Sequence, residues 1–322
     1  MEQRSLGSSG LKVSRLGLGT MTWGVETDAD EAAAQLVAFR DAGGTLVDTA
    51  ATYGSGAAES ILGQLIADVV PRSELTIATK AGVSRTPEQW RVDASRGALL
   101  RDLDQSLTRL GLDHVDVWYV HRPDDTVPFE ETLGALDAAV TAGKARYVGV
   151  SNYNGWRLAR AATWQRAVPG RAPLVADQVR YSLLERGVER EVVPAALALG
   201  VGVVPYSPLG GGVLTGKYRG GVPTDSRAAN GGHALAAVHR AGAAGIVEAV
   251  ATAADGLASS PVAVALAWLR DCPGVSAPIL GARTLGQLTA ALASEALDLP
   301  GEIRAALDDV SAPVADSPED LG

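Results

Sequence analysis

The feature that most constrains this chain is a recurring order of segments. A helical run ends at a glycine, and a short apolar run rich in β-branched residues follows. DEAAAQLVAFRDAGG leads into TLVDTA, RDLDQSLTRLGLD into HVDVWYVH, ETLGALDAAVTAGK into ARYVGVSN, and EVVPAALALG into VGVVPYSP. Gly43, Gly111, Gly143 and Gly200 stand where a left-handed helix C-cap is wanted. The apolar runs are continuous, as in strands covered on both faces. Helix and strand alternating at this pace imply βαβ units and a parallel sheet.

On this reading strands fall at Arg15–Gly19, Thr45–Asp48, Leu75–Lys80, Val115–His121, Tyr147–Ser151, Val175–Gln178, Val201–Ser207 and Val275–Leu280. About eight β/α units in a chain of 322 residues fit a (β/α)8 TIM barrel. An open dinucleotide-binding sheet would carry GxGxxG after its first strand, and RLGLGTMTWG lacks that spacing. Leu99, Leu103, Leu107 and Leu110 make one helical stripe, with Asp93 placed as its N-cap. EQRSLGSSGLKVS reads as a β-hairpin, turning at Ser9-Gly10, that caps the barrel bottom. Residues 217–240 form a long, Gly-rich, polar loop after the seventh strand, of the kind that serves as a lid or mobile segment. The tail SAPVADSPEDLG is polar and loose. No boundary interrupts the pattern, so one domain spanning residues 1–322 is expected.

Composition narrows the functional classes. With 47% hydrophobic and 20% charged residues the chain can fill a large core, which excludes global disorder. No apolar run reaches the roughly 18 residues of a membrane span, and MEQRSLGSSGLKVSR has no apolar core of a secretory signal. The lone Cys272 makes no internal disulfide and no cysteine zinc cluster, which fits a reducing cytoplasm; it reads as a buried small apolar residue. A net charge of −9 with no basic run speaks against nucleic acid as a partner. No histidine pair has metal-ligand spacing. The expectation is a cytoplasmic protein acting on small molecules, with monomer and homo-oligomer both open.

In such a barrel, function sits where the strands end. Here those ends carry Asp48, Lys80, His121, Ser151-Asn152, Gln178 and Tyr206-Ser207. Lys80 closes an otherwise apolar strand, so it points into the mouth and needs a carboxylate. Asp48, on the neighbouring strand end, supplies one, and Tyr53 in the loop that follows reaches back over the same mouth. The ammonium is expected to draw the Tyr53 phenol below its ordinary pKa of about 10, which would make it a better general acid. His114, His233 and His239 lie away from the strand ends and are read as non-catalytic. Arg122 is expected to pair with a nearby acid.

These residues carry a resemblance. Asp48, Tyr53, Lys80 and His121 are similar to the catalytic tetrad of the aldo-keto reductase superfamily. GLGTMTWG, DTAATYGSGAAESILGQ, TIATKAG, DVWYVHRPD, GVSN, QVRYSLLER, PYSPLGGGVLTGKY and PILGARTLGQL follow in that family's order, from Leu16 to about Leu292. The style resembles the bacterial branch that includes potassium-channel β-subunits. The resemblance implies NADPH-dependent reduction of aldehydes or ketones, including sugar-derived ones, with Tyr53 as proton donor and His121 sharing the oxyanion site. NADH is the less favoured cofactor.

The resemblance also assigns the cofactor site. It places Thr20, Met21 and Asp48 among the cofactor-binding residues, with Ser151, Asn152 and Gln178 on the nicotinamide carboxamide and Tyr206 stacked on its ring. Ser207, Pro208, Leu209, Gly210, Gly212, Leu214 and Lys217 match the loop that straps the pyrophosphate. Gly281, Ala282, Arg283 and Gln287 match the adenosine end, where a guanidinium suits a 2′-phosphate. Ala290 and Ala291 replace the family's Glu and Asn there, which implies a weaker hold on adenine or less strict selectivity. Ala58-Glu59 replaces a Ser-Glu pair, a minor change. Trp23 and Trp90 are candidate walls of the substrate pocket, and Trp118 is read as packing. Two other readings stand beside the reductase: an NADP(H)-binding redox sensor regulating a partner, and a specialised ketoreductase of sugar or natural-product assembly.

Overall fold

The computed structural model describes residues 1–85, 89–224, 229, 232–240 and 242–313. The chain opens with the antiparallel hairpin β1 (Gln3–Ser5) and β2 (Lys12–Ser14). The barrel strands follow as β3 (Gly17–Gly19), β4 (Leu46–Asp48) and β5 (Thr76–Ala81). A second small hairpin, β6 (Val83–Arg85) with β7 (Trp90–Val92), stands on the loop after β5. The barrel continues with β8 (Val115–Val120), β9 (Ala145–Ser151), β10 (Leu174–Arg180), β11 (Gly202–Tyr206) and β12 (Ile279–Gly281). These eight strands form one parallel sheet in the order β11-β10-β9-β8-β5-β4-β3-β12. Between β11 and β12 the ladder reduces to the parallel bridge Val203–Val275, where Ser276 N–H donates to Val203 O at 2.8 Å. The sheet is thus nearly closed into the expected (β/α)8 barrel.

Helices α1 (Ala29–Asp41), α2 (Ala57–Asp68), α3 (Arg96–Leu110), α4 (Phe129–Thr141), α5 (Gly155–Ala167) and α6 (Val188–Ala198) connect successive strands. α7 (Gly232–Val238), α8 (Ala243–Gly256) and α9 (Pro261–Arg270) precede β12, and α10 (Leu285–Leu292) and α11 (Gly301–Val310) follow it. The predicted capping glycines 43, 111, 143 and 200 all have left-handed φ, from 59° to 79°. Of the 217–240 loop, residues 225–228, 230 and 231 lie outside the described residues, as does the tail from residue 314.

The strand interior is lined by Leu46, Ala78, Val117, Tyr119, Val175, Ala176, Val204, Ala277 and Ile279. Leu6 and Val13 of the first hairpin join this cluster, so the hairpin does cap the end opposite the strand C-termini. It is fastened there by Ser8 N–H to Gly200 O at 2.8 Å and by Arg4 to Arg270 O at 2.6 Å. The side chains facing outward from the strands, such as Trp118, Val148 and Val150, pack under the helices. No single helix among the described residues is long and apolar enough to cross a membrane.

The N-cap of α3 differs from expectation. Ser95 is the cap, accepting from Ala98 N–H, while Asp93 Oδ1 accepts from Ser95 N–H at 3.1 Å and Ser95 Oγ at 2.6 Å. Asp93 thus closes a turn on its own backbone before the helix, and the helical geometry starts later. Ser95→Ala should lower unfolding stability by about 1 kcal/mol, measured as a shift of the urea midpoint.

Candidate active site

β4 and β5 bring Asp48 and Lys80 together at the barrel mouth. Both are almost fully buried. Lys80 Nζ donates to Asp48 Oδ2 at 2.6 Å, to Thr49 O at 2.8 Å and to Tyr53 Oη at 3.2 Å. Tyr53 begins the tight turn Tyr53–Gly56 that leads into α2. Ser55 in that turn has φ 55°, a left-handed conformation that a residue with a Cβ enters at some cost. His121 follows β8, and its ring meets the Tyr53 ring edge-on, 6.1 Å between centres and 81° between planes.

Burial would lower the Lys80 pKa, but Asp48 and then Tyr53 outweigh it and hold the ammonium charged above its ordinary value. The Tyr53 phenol behaves contrary to expectation. Burial raises its pKa, Lys80 acts against this, and the net direction is upward. The ammonium does favour phenolate, but removing the phenol from water costs the charged form more. Burial, then Lys80 and Arg122, push His121 down to about 3, so its imidazole is neutral near pH 7. Among the described residues, no group of three His, Cys, Asp or Glu side chains could hold a metal ion. Tyr53 therefore stays protonated and His121 stays neutral through the physiological range. If these groups carry proton transfer, the rate of carbonyl reduction should show no ionisation between about pH 6 and 8, where an ordinary histidine titrates. A pH profile of kcat/KM at saturating cofactor checks this.

A polar circuit ties this cluster to the far side of the mouth. Gln178 Nε2 donates to Asp48 Oδ1 at 2.8 Å. Gln178 O accepts from Ser151 Oγ at 2.8 Å and from Asn152 N–H at 2.9 Å. Asn152, at φ 62°, donates through Nδ2 to His121 O at 3.1 Å and to Ser151 Oγ at 3.0 Å, and accepts from Tyr206 Oη at 2.8 Å. Thr20 closes the near side, donating N–H and Oγ to Asp48 O at 3.0 and 3.2 Å. Met21 beside it is exposed.

After β11 the chain turns sharply at Ser207, φ 53°, and enters the glycine turn Gly210–Thr215. A Cβ on Gly212 would stand 3.1 Å from Lys217 Nζ, so the ammonium lies against bare backbone. Pro208 and Leu214 are buried beneath the turn, with Leu209 partly covered. Arg180, ending β10, stacks 5.6 Å from the centre of the Tyr206 ring and lines a cavity of about 40 Å³ with Ser207, Gly210 and Leu184. Neither Arg180 nor Lys217 has an acid in ion-pair range among the described residues. At the other end of the groove, Thr22 Oγ donates to Ala282 O at 2.9 Å and Thr27 Oγ to Arg283 O at 3.1 Å, tying the loop after β3 to the loop after β12. Gly281 is open to solvent there. Gln287 Oε1 accepts from Arg283 N–H at 3.0 Å, and the Arg283 guanidinium stands 3.6 Å from Glu26. Ala290 is exposed, but Ala291 is packed into the core.

Several expectations need correction. Trp23 is fully buried and donates Nε1–H to Gln35 at 3.2 Å, so it is a core residue and no wall of an open pocket. Trp90 is exposed on β7, and Trp118 is packing, as expected. Arg122 is exposed, with no acid in ion-pair range among the described residues. Cys272 is buried, as expected. Sequence reasoning passed over Arg180, although an arginine ending a strand after Gln178 was a readable signal. It gave Glu59 no role, although the side chain is fully buried and bonded on both oxygens.

A buried lysine–aspartate pair against a phenol, with a neutral imidazole beside it at the C-terminal mouth of a (β/α)8 barrel, is the arrangement of a carbonyl oxidoreductase of the barrel type. The sequence model of the aldo/keto reductase family matches residues 15–312, and the chain belongs to that family. It is 38% identical to an uncharacterised oxidoreductase, YrpG, of Bacillus subtilis, over 99% of both chains. It is 36% identical to a probable voltage-gated potassium channel subunit beta of Oryza sativa, over 89% of each. It is 40% identical to the L-glyceraldehyde 3-phosphate reductase of Escherichia coli, over 70% of this chain and 67% of that protein.

Proposed function

We propose that the protein reduces aldehydes or ketones to alcohols with NADPH, Tyr53 delivering the proton. The observation that carries this is the buried ammonium of Lys80, fixed by Asp48 and set 3.2 Å from Tyr53 Oη. The side chains around the groove fit a nicotinamide dinucleotide: Lys217 over bare glycine backbone suits a pyrophosphate, and Arg180 adds a second cation near Ser207 and Gly210. Ser151, Asn152 and Gln178 would hold the carboxamide and Tyr206 would face the ring. Arg283, with Gln287 bracing its backbone, would meet a 2′-phosphate. The bound nicotinamide would supply the hydride.

The chain's own part is the proton and the charge. Tyr53 and His121 would both hydrogen-bond the carbonyl oxygen, His121 as a neutral donor. As negative charge builds there, the Tyr53 proton moves to the oxygen, and the phenolate left behind is stabilised by Lys80. Asp48 keeps Lys80 charged and aimed. The resemblance to L-glyceraldehyde 3-phosphate reductase favours small polar aldehydes as substrates. The similarity to a potassium channel subunit supports a second reading, a cofactor-binding redox sensor, which uses the same groove but predicts binding with little turnover.

Tyr53→Phe should lower kcat roughly 10²–10⁴-fold and leave the NADPH Kd unchanged, measured by absorbance at 340 nm and cofactor fluorescence. Retention of more than about a tenth of the rate would remove Tyr53 from proton transfer, given the size of general acid catalysis. Arg283→Ala should weaken NADPH far more than NADH in a fluorescence titration. Equal weakening of both would take Arg283 off the 2′-phosphate.

A further inference from the structure

Behind the mouth, on the face of β5 opposite Lys80, lies a charged cluster that the chemistry above does not use. Glu59, in the first turn of α2, has no exposed surface. Its Oε1 accepts from Thr79 Oγ at 2.6 Å. Its Oε2 accepts from Arg109 Nε at 2.7 Å and Nη2 at 2.6 Å. Arg109, near the end of α3, also donates to Ser106 Oγ at 3.3 Å.

The position of this carboxylate is specific. Thr79 precedes Lys80 on β5, so its side chain leaves the strand on the opposite face. α2 begins where the Tyr53–Gly56 turn ends. The Arg109 side chain runs directly beneath that turn: a Cβ on Gly56 would come within 2.8 Å of Arg109 Cδ and 2.9 Å of Nε. Glu59 therefore joins the backbone that carries Tyr53 to the strand that carries Lys80, and Arg109 fills the space under both. A carboxylate with no access to water gains little net stability from a salt bridge. What it does supply is fixed geometry between the two segments it bonds.

We propose that Glu59, held by Arg109 and Thr79, is a positioning residue that sets the distance between Tyr53 Oη and Lys80 Nζ. It touches neither substrate nor cofactor. It acts through the turn in which Ser55, a residue with a Cβ, is held at φ 55° between Gly54 and Gly56. Loss of the brace lets the phenol drift from the ammonium, and misplacement by about 1 Å costs on the order of 10²-fold in rate.

The proposal rests on the reductase reading, and the test separates the two. Thr79→Val removes the hydroxyl that ties Lys80's strand to Glu59 and keeps the shape, whereas Thr79→Ser keeps the hydroxyl. Glu59→Gln is the stronger variant, and circular dichroism shows whether it folds. Thr79→Val should reduce kcat roughly 10- to 100-fold with KM for the aldehyde and Kd for NADPH unchanged, and Thr79→Ser should restore it. A readout free of turnover is the 13C resonance of the Tyr53 ring carbon bearing the hydroxyl, assigned by its absence in Tyr53→Phe. It should move in Thr79→Val and return in Thr79→Ser. A resonance and kcat both unchanged in Thr79→Val would overturn the brace, as would equal losses in the Val and Ser variants. Wild-type protein that binds NADPH without turnover would overturn the reductase reading alone, because the tyrosine resonance still decides the brace.

Discussion

The contact between Lys80 and Asp48 governs the rest of the mouth. Taking an ammonium and a carboxylate out of water costs several kcal/mol per ion, and the attraction repays this only when the remaining hydrogen-bonding capacity is met. Here it is met from protein groups. An ammonium has three donors, and those of Lys80 go to Asp48, Thr49 O and Tyr53. The second Asp48 oxygen accepts from Gln178. The ion pair thus dictates where a phenol and an amide must stand, and through them the placement of the loop that follows β4 and of the end of β10.

The barrel makes this economical. Parallel strands all end on one side, so Asp48, Lys80, His121, Asn152, Gln178 and Tyr206 meet at the mouth from segments far apart in the chain. None needs a long loop to reach it. The opposite end is fixed by different chemistry. The fully buried Arg270 guanidinium donates to Ser294 O at 2.5 Å and Leu297 O at 3.0 Å, and its own carbonyl accepts from Arg4. The bottom is a carbonyl-and-guanidinium lock joining both ends of the chain, and the mouth is where polar side chains converge.

How far the sequence disclosed this depends on which interactions are local. The capping glycines were legible because a left-handed residue is a property of one position. The strands were legible because continuous apolar runs reflect two-sided burial. The Asp48, Lys80 and Tyr53 contact followed from strand order. Failures came where packing decides. Trp23 follows a strand at the mouth, yet its ring turns inward and donates to Gln35, a partner in α1 that no local pattern announces. Asp93 is a good capping residue, but its side chain was taken by Ser95. Tyr53 was expected below its ordinary pKa because the ammonium was countable in sequence and the depth of burial was not. Glu59 entered the sequence reading only as half of a replaced Ser-Glu pair, because only the fold places Thr79 and Arg109 on its two oxygens.

The seam between β11 and β12 has its own consequence. Every other neighbouring pair of barrel strands shares a ladder, whereas β11 is joined only by the Val203–Val275 bridge to the segment that leads into β12. The chain between them is also the longest excursion in the barrel, and it carries the glycine turn and Lys217. Opening the sheet at this seam would break fewer backbone hydrogen bonds than opening it at any of its other joints. The glycine turn and Lys217 follow β11, so they sit on the strand at this seam and not on the strands that hold Asp48 and Lys80.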